Sequence, residues 1–356
     1  MSIGIYLSFP FSKSPAKGLE WGRFQFQRRL VKSYLDSLRQ ELLSNQFSGS
    51  SVRTVLLGAG EWSYVRPEEL TKLVSTLKGE FGFSRGYEFT IETSYKQIGP
   101  EILLAWEELG VNRLSFNLLE VELNQLKKVV SLARAKGFEN LNLDLHFGRP
   151  GQSLLAWQKD LRALTSLLPT HFSVYSFGSS STRQNLRKEI YLWTANYLEK
   201  NGYKHYEVCH FARPGFECRQ NQHYWQRKNF LGFGAGAASL WGDCRWRNSF
   251  NPAKYAGLIK SKKRAVTQKY KISLPQQKAE TIYYSLRQAR GLDLTRPQAG
   301  FGDQSGLLKS KTVHQLTERG YLNLRGSRLS LTKEGFLKAD EIIVKLIQAK
   351  NFLTET

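Results

Sequence analysis

The chain contains three cysteines, the side chains in it that are best suited to bind a soft metal or to react as nucleophiles. Cys209, Cys218 and Cys244 are separated by 8 and 25 residues. An odd number of cysteines at these spacings fits neither a disulfide framework nor the paired Cys-x-x-Cys pattern of metal sites. The spacing therefore predicts three ordinary reduced thiols.

The loop after the first predicted strand is a second candidate for chemistry. Apolar residues alternate with smaller or more polar ones from Ile3 to Phe9, and Pro10 ends this strand because proline cannot donate to a β-ladder. The loop lies at the carboxyl end of the strand, where ligands bind in open or barrel-like α/β sheets. We therefore expect the functional edge of the molecule here.

Strands and helices alternate after this loop. The predicted strands cover residues 52–57, 87–91, 113–116, 141–145 and 172–175, and the predicted helices include 23–47, 100–110, 123–135 and 153–168. Such alternation with short loops is typical of a parallel sheet with right-handed crossovers. The sequence predicts an α/β fold, a partial TIM-like (βα)6 barrel.

The last third of the chain has a different composition. Residues 254–271 carry seven basic side chains and no acidic one, which predicts an exposed segment joining two bodies. Residues 307–332, a helix followed by two short strands around a Gly-Ser turn, predict a winged-helix-like module. The predicted domains are a barrel with its extension at 1–250, a basic linker at 251–274 and a C-terminal module at 275–356.

The composition is that of a folded protein with a strong basic excess. The 356 residues are 41% hydrophobic and 23% charged, with a formal net charge of +22. No secretory signal pattern and no run of about 18 apolar residues is present, which predicts a cytoplasmic protein. The charge favours nucleic acid, an anionic membrane surface or acidic small molecules as partners, with a merely solvated basic surface as the alternative. The sequence gives no oligomeric state.

Ordered motifs along most of the chain carry a family resemblance. They lie at residues 8–19 (SFPFSKSPAKGL), 55–63 (VLLGAGEWS), 109–115 (LGVNRLS), 142–145 (NLDL), 148–152 (GRPGQ) and 206–219 (YEVCHFARPGFECR). These segments resemble the radical-SAM family that contains the oxygen-independent coproporphyrinogen III oxidases and the heme chaperone HemW. The resemblance implies the fold of that family, and with it a role in heme or porphyrin metabolism.

The cluster ligands of that family are missing from this sequence. Its three cluster cysteines fall on Ser12, Ala16 and Leu19. A four-iron cluster is held by thiolates, so we expect no iron–sulfur cluster and no cleavage of S-adenosylmethionine. The protein is then a pseudoenzyme.

The resemblance also implies a vestigial S-adenosylmethionine site. The Gly-rich loop of the family corresponds to Gly58 and Gly60, with alanine at the middle glycine. Glu92 and Asp144 stand at the acidic positions that the family uses near this cosubstrate. The alternative is that both carboxylates merely end strands in a polar rim.

A heme motif of the HemW branch, H-N-x-x-Y-W, corresponds to QNQHYW at residues 220–225. The axial-ligand position is Gln220, and His223 lies three residues later. The resemblance makes His223, Tyr224 and Trp225 candidate heme-binding residues. Ligation by the Cys218 thiolate, or a His223 that only packs among aromatic side chains, are the alternatives.

Three hypotheses follow from these residues. The first is a non-catalytic heme or porphyrin binding protein that has lost its cluster. The second is an active radical-SAM oxidoreductase of the coproporphyrinogen oxidase type, whose cluster would use Cys209, Cys218 and Cys244. The third is a nucleic-acid or anionic-surface binder that uses the basic residues and the winged helix.

Overall fold

The computed structural model describes residues 2–13, 22–118, 121–177, 184–295 and 310–349. The chain divides into two compact units, each built from two separate stretches. The first unit consists of Met1–Asp144 and Lys228–Lys271, and the second of Leu145–Arg227 and Ile272–Thr356. The domain boundaries predicted above stay a prediction.

The described residues contain the following strands and helices. The strands are β1 (Ser2–Ser8), β2 (Phe11–Ser12), β3 (Phe24–Gln25), β4 (Ser51–Gly58), β5 (Gly82–Thr93), β6 (Arg113–Asn117), β7 (Asn140–Phe147), β8 (His171–Ser176), β9 (Lys204–Glu207), β10 (His210–Ala212), β11 (Phe230–Phe233), β12 (Ala238–Trp241), β13 (Cys244–Asn248), β14 (Val266–Lys271), β15 (Leu292–Asp293), β16 (Leu322–Arg325) and β17 (Arg328–Leu331). The helices are α1 (Arg28–Leu43), α2 (Pro67–Glu80), α3 (Pro100–Glu108), α4 (Leu123–Ala135), α5 (Leu154–Thr165), α6 (Gln184–Lys200), α7 (Arg219–Trp225), α8 (Pro252–Lys260), α9 (Leu274–Leu286), α10 (Lys311–Glu318), α11 (Lys333–Leu337) and α12 (Ala339–Gln348).

A large sheet forms the centre of the first unit. Its strands follow the order β14-β13-β12-β11-β1-β4-β5-β6-β7. The ladders from β11 through β1, β4, β5 and β6 to β7 are parallel, as the alternation of strands and helices predicts. Ile3, Ile5 and Leu7 of β1 are fully buried. The α/β fold class is therefore confirmed.

The first crossover helix is shorter than its sequence pattern predicts. Helix α1 begins at Arg28, not at residue 23, because Phe24 and Gln25 pair with β2 as a short parallel strand. Its buried positions, Val31, Tyr34, Leu35, Leu38 and Leu42, recur at helical spacing and form one apolar face. Helix α2 starts with Pro67 in its first turn, where proline is favoured because its missing N–H would have no partner within the helix.

Residues 228–271 belong to the first unit although they are distant in sequence from its other residues. Strand β11 pairs with β1 in parallel, and β12, β13 and β14 extend the sheet by antiparallel pairing. Most of the region predicted as a basic linker lies here. Helix α8 buries Tyr255, Ala256 and Ile259, and β14 pairs with β13 at the edge of the sheet. The basic side chains of the segment are exposed.

The second unit contains the antiparallel strands β8, β10 and β9 and the helices α5, α6, α7 and α9. Its C-terminal part has the helix-then-hairpin order of a winged helix. Strands β16 and β17 form a hairpin whose turn contains Gly326 in the left-handed region, at φ 57°, and β15 pairs with β17. In the ranges that the structure describes, no helix is long and apolar enough to cross a membrane.

Candidate functional site

The first cluster position is filled by a buried serine with a hydrogen-bond partner. Ser12 is 1% exposed, and its hydroxyl donates to Oε1 of Glu61 at 3.0 Å. Gly22 packs tightly against this serine, because a Cβ built on Gly22 would lie 2.7 Å from Cβ of Ser12. Ala16 and Leu19 lie outside the described residues. The described part of the loop therefore packs around an oxygen where the family has a thiolate.

The Gly58–Gly60 turn leaves no room for side chains at its two glycines. A Cβ on Gly58 would lie 2.6 Å from Oε2 of Glu92, and a Cβ on Gly60 would lie 2.2 Å from the carbonyl oxygen of Phe9. Ala59, at the middle position, has a left-handed φ of 71°. An L-residue in this region costs on the order of 1 kcal/mol, which a glycine would avoid.

Glu92 is a carboxyl group with an unusual pKa. Burial raises the pKa of Glu92 to about 7, and the nearby charge of Asp144 adds to the increase. The charge of Arg113 and a hydrogen bond from the backbone N–H of Ala59 act in the opposite direction. A carboxyl with a pKa near neutrality can hold or release a proton at physiological pH, as general acids and bases do.

Asp144 belongs to a buried hydrogen-bonded network that composition did not reveal. The Ser115 hydroxyl donates to Oδ2 of Asp144 at 3.0 Å, and Nδ2 of Asn142 donates to Oδ1 at 2.8 Å. The same amide donates to the Ser115 hydroxyl at 2.7 Å. Asn142 and Asp144 are two residues apart on β7, so they face the same side of the sheet. The alternation of polar and apolar residues in NLDL is the sequence feature that indicates a shared face for Asn142 and Asp144.

A cavity of about 210 Å³ opens beside Glu92. It is lined by Tyr6, Ser8, Pro10, Arg23, Phe24, Ala59, Glu92, Ala235, Gly236 and Phe250. Ala235, Gly236 and Phe250 follow β11 in the chain. Local sequence patterns did not indicate that this later stretch lies beside Glu92. The volume that these residues enclose lies below the roughly 300–1,000 Å³ typical of small-molecule sites. The arrangement thus provides a protonatable carboxyl beside a small recess.

The heme motif lies on α7 in the second unit. Gln220 is fully buried and His223 is 3% exposed. The indole Nε1 of Trp225 is buried and finds no hydrogen-bond partner among the described residues. The guanidinium carbon of Arg287 lies 5.6 Å from the centroid of the Trp225 ring. Nη1 of Arg287 already donates to Oδ1 of Asp340 at 2.6 Å, so the unpaired indole N–H is the group here that fits a further carboxylate.

His210 is a second buried imidazole of this unit and an alternative iron ligand to His223, and it has polar partners at both ring nitrogens. Its Nδ1 lies 2.6 Å from Oε1 of Glu207, and its Nε2 lies 3.1 Å from the hydroxyl of Tyr175. Burial alone would raise the pKa of Glu207, but His210 and the backbone N–H of Cys209 hold that pKa below its usual value. Ligation of a metal by His210 would have to break one of these contacts.

The cysteines do not form a metal site in the described ranges. Burial raises the pKa of the Cys209 thiol far above its usual value, which disfavours the thiolate that binds iron. Cys218 is buried at the N-terminal cap of α7, and Cys244 begins β13 in the other unit. Among the residues with described coordinates, no three His, Cys, Asp or Glu side chains are placed to hold a metal ion.

Comparison with known proteins agrees with the predicted resemblance. A family model described as the HemN C-terminal domain matches residues 272–337. The heme chaperone HemW of Bacillus subtilis is 28% identical, covering 95% of this chain and 97% of the relative. HemW of Lactococcus lactis is 24% identical and covers 96% of each chain.

The fold also has a close counterpart among solved structures. The structure titled "Coproporphyrinogen III oxidase (HemN) from Escherichia coli is a Radical SAM enzyme" superposes with a TM-score of 0.85 at 21% identity. The superposition covers 97% of this chain and 90% of that one. The resemblance to HemW and to the HemN fold is therefore confirmed over nearly the whole chain.

Proposed function

We propose that the protein is a HemW-like heme or porphyrin binding protein that carries no iron–sulfur cluster and does not cleave S-adenosylmethionine. The observation that carries this proposal is Ser12, buried at the first cluster position and hydrogen-bonded to Glu61 at 3.0 Å. Ala16 and Leu19, at the other two positions, have no donor atom. Reductive cleavage needs an electron delivered through a cluster, and no other side chain supplies it.

The residues around α7 support the binding half of the proposal. A porphyrin is a flat apolar ring with carboxylate groups at its edge, so it requires an aromatic surface beside cations. Trp225 and Tyr284 place their ring centroids 5.8 Å apart, and the guanidinium of Arg287 lies near the Trp225 ring. In this proposal Arg287 and the Trp225 indole N–H hold a propionate, and His223 is the candidate iron ligand.

The active-enzyme alternative is weaker than this proposal. It needs three thiolates that converge on one cluster, whereas burial raises the pKa of the Cys209 thiol far above its usual value, so this thiol keeps its proton. No observation at the site favours nucleic acid as the ligand. Polyanion binding through the basic segment is a separate prediction.

Hemin titration of the full chain tests the proposal. We expect a shifted Soret band with the wild type, with His210→Ala and with Cys218→Ala, and a loss of this shift with His223→Ala. His210→Ala is the matched control, because it removes a buried imidazole whose two nitrogens already have partners. Arg287→Gln should weaken binding by about tenfold, since it removes one charge-assisted contact.

Two results would contradict heme binding at α7. One is equal binding by all these variants, and the other is wild-type binding no stronger than nonspecific adsorption to serum albumin. Because His223 is buried, His223→Gln is included, with far-ultraviolet circular dichroism as a check of folding. A Soret shift that survives in a folded His223→Gln protein would exclude His223 as the ligand.

A further inference from the structure

The first unit contains a second cavity, and none of the described residues that line it also lines the cavity beside Glu92. Its volume is about 540 Å³, within the roughly 300–1,000 Å³ of small-molecule sites. The end of α1, the turn after α8 and strands β11, β13 and β14 surround it. Leu231, Phe233 and Ile259 form a buried apolar floor, each no more than 6% exposed.

A flat aromatic wall stands on one side of this cavity. The rings of Phe47 and Trp246 are nearly parallel, at 14°, with centroids 6.0 Å apart. Trp246 pairs directly with Lys269 of β14 and with Ser239 of β12, so the three side chains project from the same face of the sheet. All three line the cavity, which places a cation beside the indole ring.

The rim of the cavity is strongly basic. Lys262, Lys263 and Arg264 follow α8 and line the cavity together with Lys269, and all four are exposed. Lys262 closes the helix in a left-handed conformation, at φ 58°, where glycine is the usual residue. A lysine there costs on the order of 1 kcal/mol in backbone energy but adds a cation at the rim.

Glu41 also lines the cavity, and its carboxyl group is engaged elsewhere. It accepts hydrogen bonds from the Tyr255 hydroxyl at 2.5 Å, the Gly234 backbone N–H at 2.8 Å and Nδ2 of Asn248 at 2.6 Å. Burial also raises the pKa of Glu41 to about 7. The carboxyl group is therefore held by donors of the protein itself, and it can offset no more than one of the four positive charges at the rim.

We propose that this cavity binds a nucleoside phosphate. The ring of the ligand stacks on Trp246, its phosphates lie among Lys262, Lys263, Arg264 and Lys269, and the amides of Gln40 and Gln46 can pair with the edge of the base. Among the described residues that line the cavity there is no histidine, cysteine or methionine, so these residues offer a heme iron no axial ligand of those types. This site is independent of the function proposed above.

Calorimetric titration of the full chain at fixed ionic strength tests the site with three probes. ADP has both ring and charge, adenosine has only the ring, and pyrophosphate has only the charge. We expect ADP to bind at least about tenfold more tightly than either of the other two. The double variant Arg264→Gln/Lys269→Gln should weaken ADP binding by a further factor of about ten or more.

The matched control removes the same charge nearby. Lys254 and Lys271 are exposed cations of the same segment that do not line the cavity, so Lys254→Gln/Lys271→Gln should leave ADP affinity within about twofold. Trp246→Leu should weaken ADP and spare pyrophosphate. Pyrophosphate binding as tight as that of ADP, an equal loss in the control variant, or no ADP binding at all would each overturn the proposal.

Discussion

At the scale of single residues, Glu92 is the group whose chemistry the fold alters most directly at the candidate site. Its carboxyl oxygen fills the space beside Gly58, and Ala59 donates a backbone hydrogen bond to it. Burial and the charge of Asp144 together bring its pKa to about 7 from a usual value of 4.5. Such a shift links the protonation of one side chain to the stability of the whole first unit.

We predict a pH-dependent stability that the substitution Glu92→Gln reduces. The folded state binds this proton more tightly than the unfolded state, because the folded pKa is raised. The stabilisation is therefore complete below the unfolded value of 4.5 and is lost as pH rises through about 7. After allowance for partial exposure, the change amounts to about 2 kcal/mol.

Urea unfolding of the wild type and of Glu92→Gln across this pH range measures the effect. Glu107→Gln is the control, because Glu107 is an exposed carboxyl on α3. The pKa of Glu41 is also raised to about 7, so its deprotonation lowers the free energy of unfolding over the same pH range. The Glu92→Gln variant therefore keeps part of the pH dependence of stability. Identical slopes for the wild type and Glu92→Gln would contradict the raised pKa.

At the scale of elements, local patterns predicted helices and strands well where one apolar face decides the structure. Helix α4 was predicted at 123–135 and lies at Leu123–Ala135, and Ser153 caps α5 as expected. Pairing between distant segments decides the structure elsewhere. Phe24 and Gln25 join a strand at 11–12 instead of the helix predicted from residue 23, and residues 266–271 join β13, although most of that stretch is polar or basic.

The basic residues of 254–271 are the element-scale feature whose role charge alone predicts. We expect Lys260, Lys262, Lys263 and Arg264, all changed to glutamine, to lower heparin affinity and flatten its salt dependence. For duplex DNA, each phosphate contact makes the plot of log binding constant against log salt concentration steeper by about 0.9. A heparin or DNA titration at several salt concentrations measures that slope.

The control for this experiment removes four exposed cations from other helices and strands of the first unit, Lys72, Arg85, Lys127 and Lys128. If both quadruple variants lose the same affinity and slope, polyanion binding reflects net charge and not this segment. If neither changes, the basic residues of 254–271 are only a solvated face.

At the scale of the whole molecule, the sequence predicted the α/β fold and the family resemblance but not the return of residues 228–271 to the first strand. Motifs such as NLDL and YEVCHFARPGFECR are short and ordered, so they survive as recognisable patterns. The return of 228–271 to pair with β1 depends on contacts between residues more than 200 positions apart, as between Leu7 and Phe233. Local periodicity contains no information about such contacts.

The candidate site was predictable in the same uneven way. Gly58, Gly60, Glu92 and Asp144 were identified because they lie within motifs of the family. The network of Ser115 and Asn142 around Asp144 was not, and neither was the hydrogen bond between Ser12 and Glu61. These contacts arise only when strands and loops meet in three dimensions.

The most direct test of the central claim is iron–sulfur reconstitution of anaerobically purified protein, followed by an absorption spectrum and by assay of bound iron and sulfide. We expect no cluster absorbance, no stoichiometric iron or sulfide and no 5′-deoxyadenosine after addition of S-adenosylmethionine and a reductant. A Soret shift should still appear when hemin is added to the same sample. A broad visible absorbance with stoichiometric iron and sulfide would contradict the claim that this chain works without a cluster.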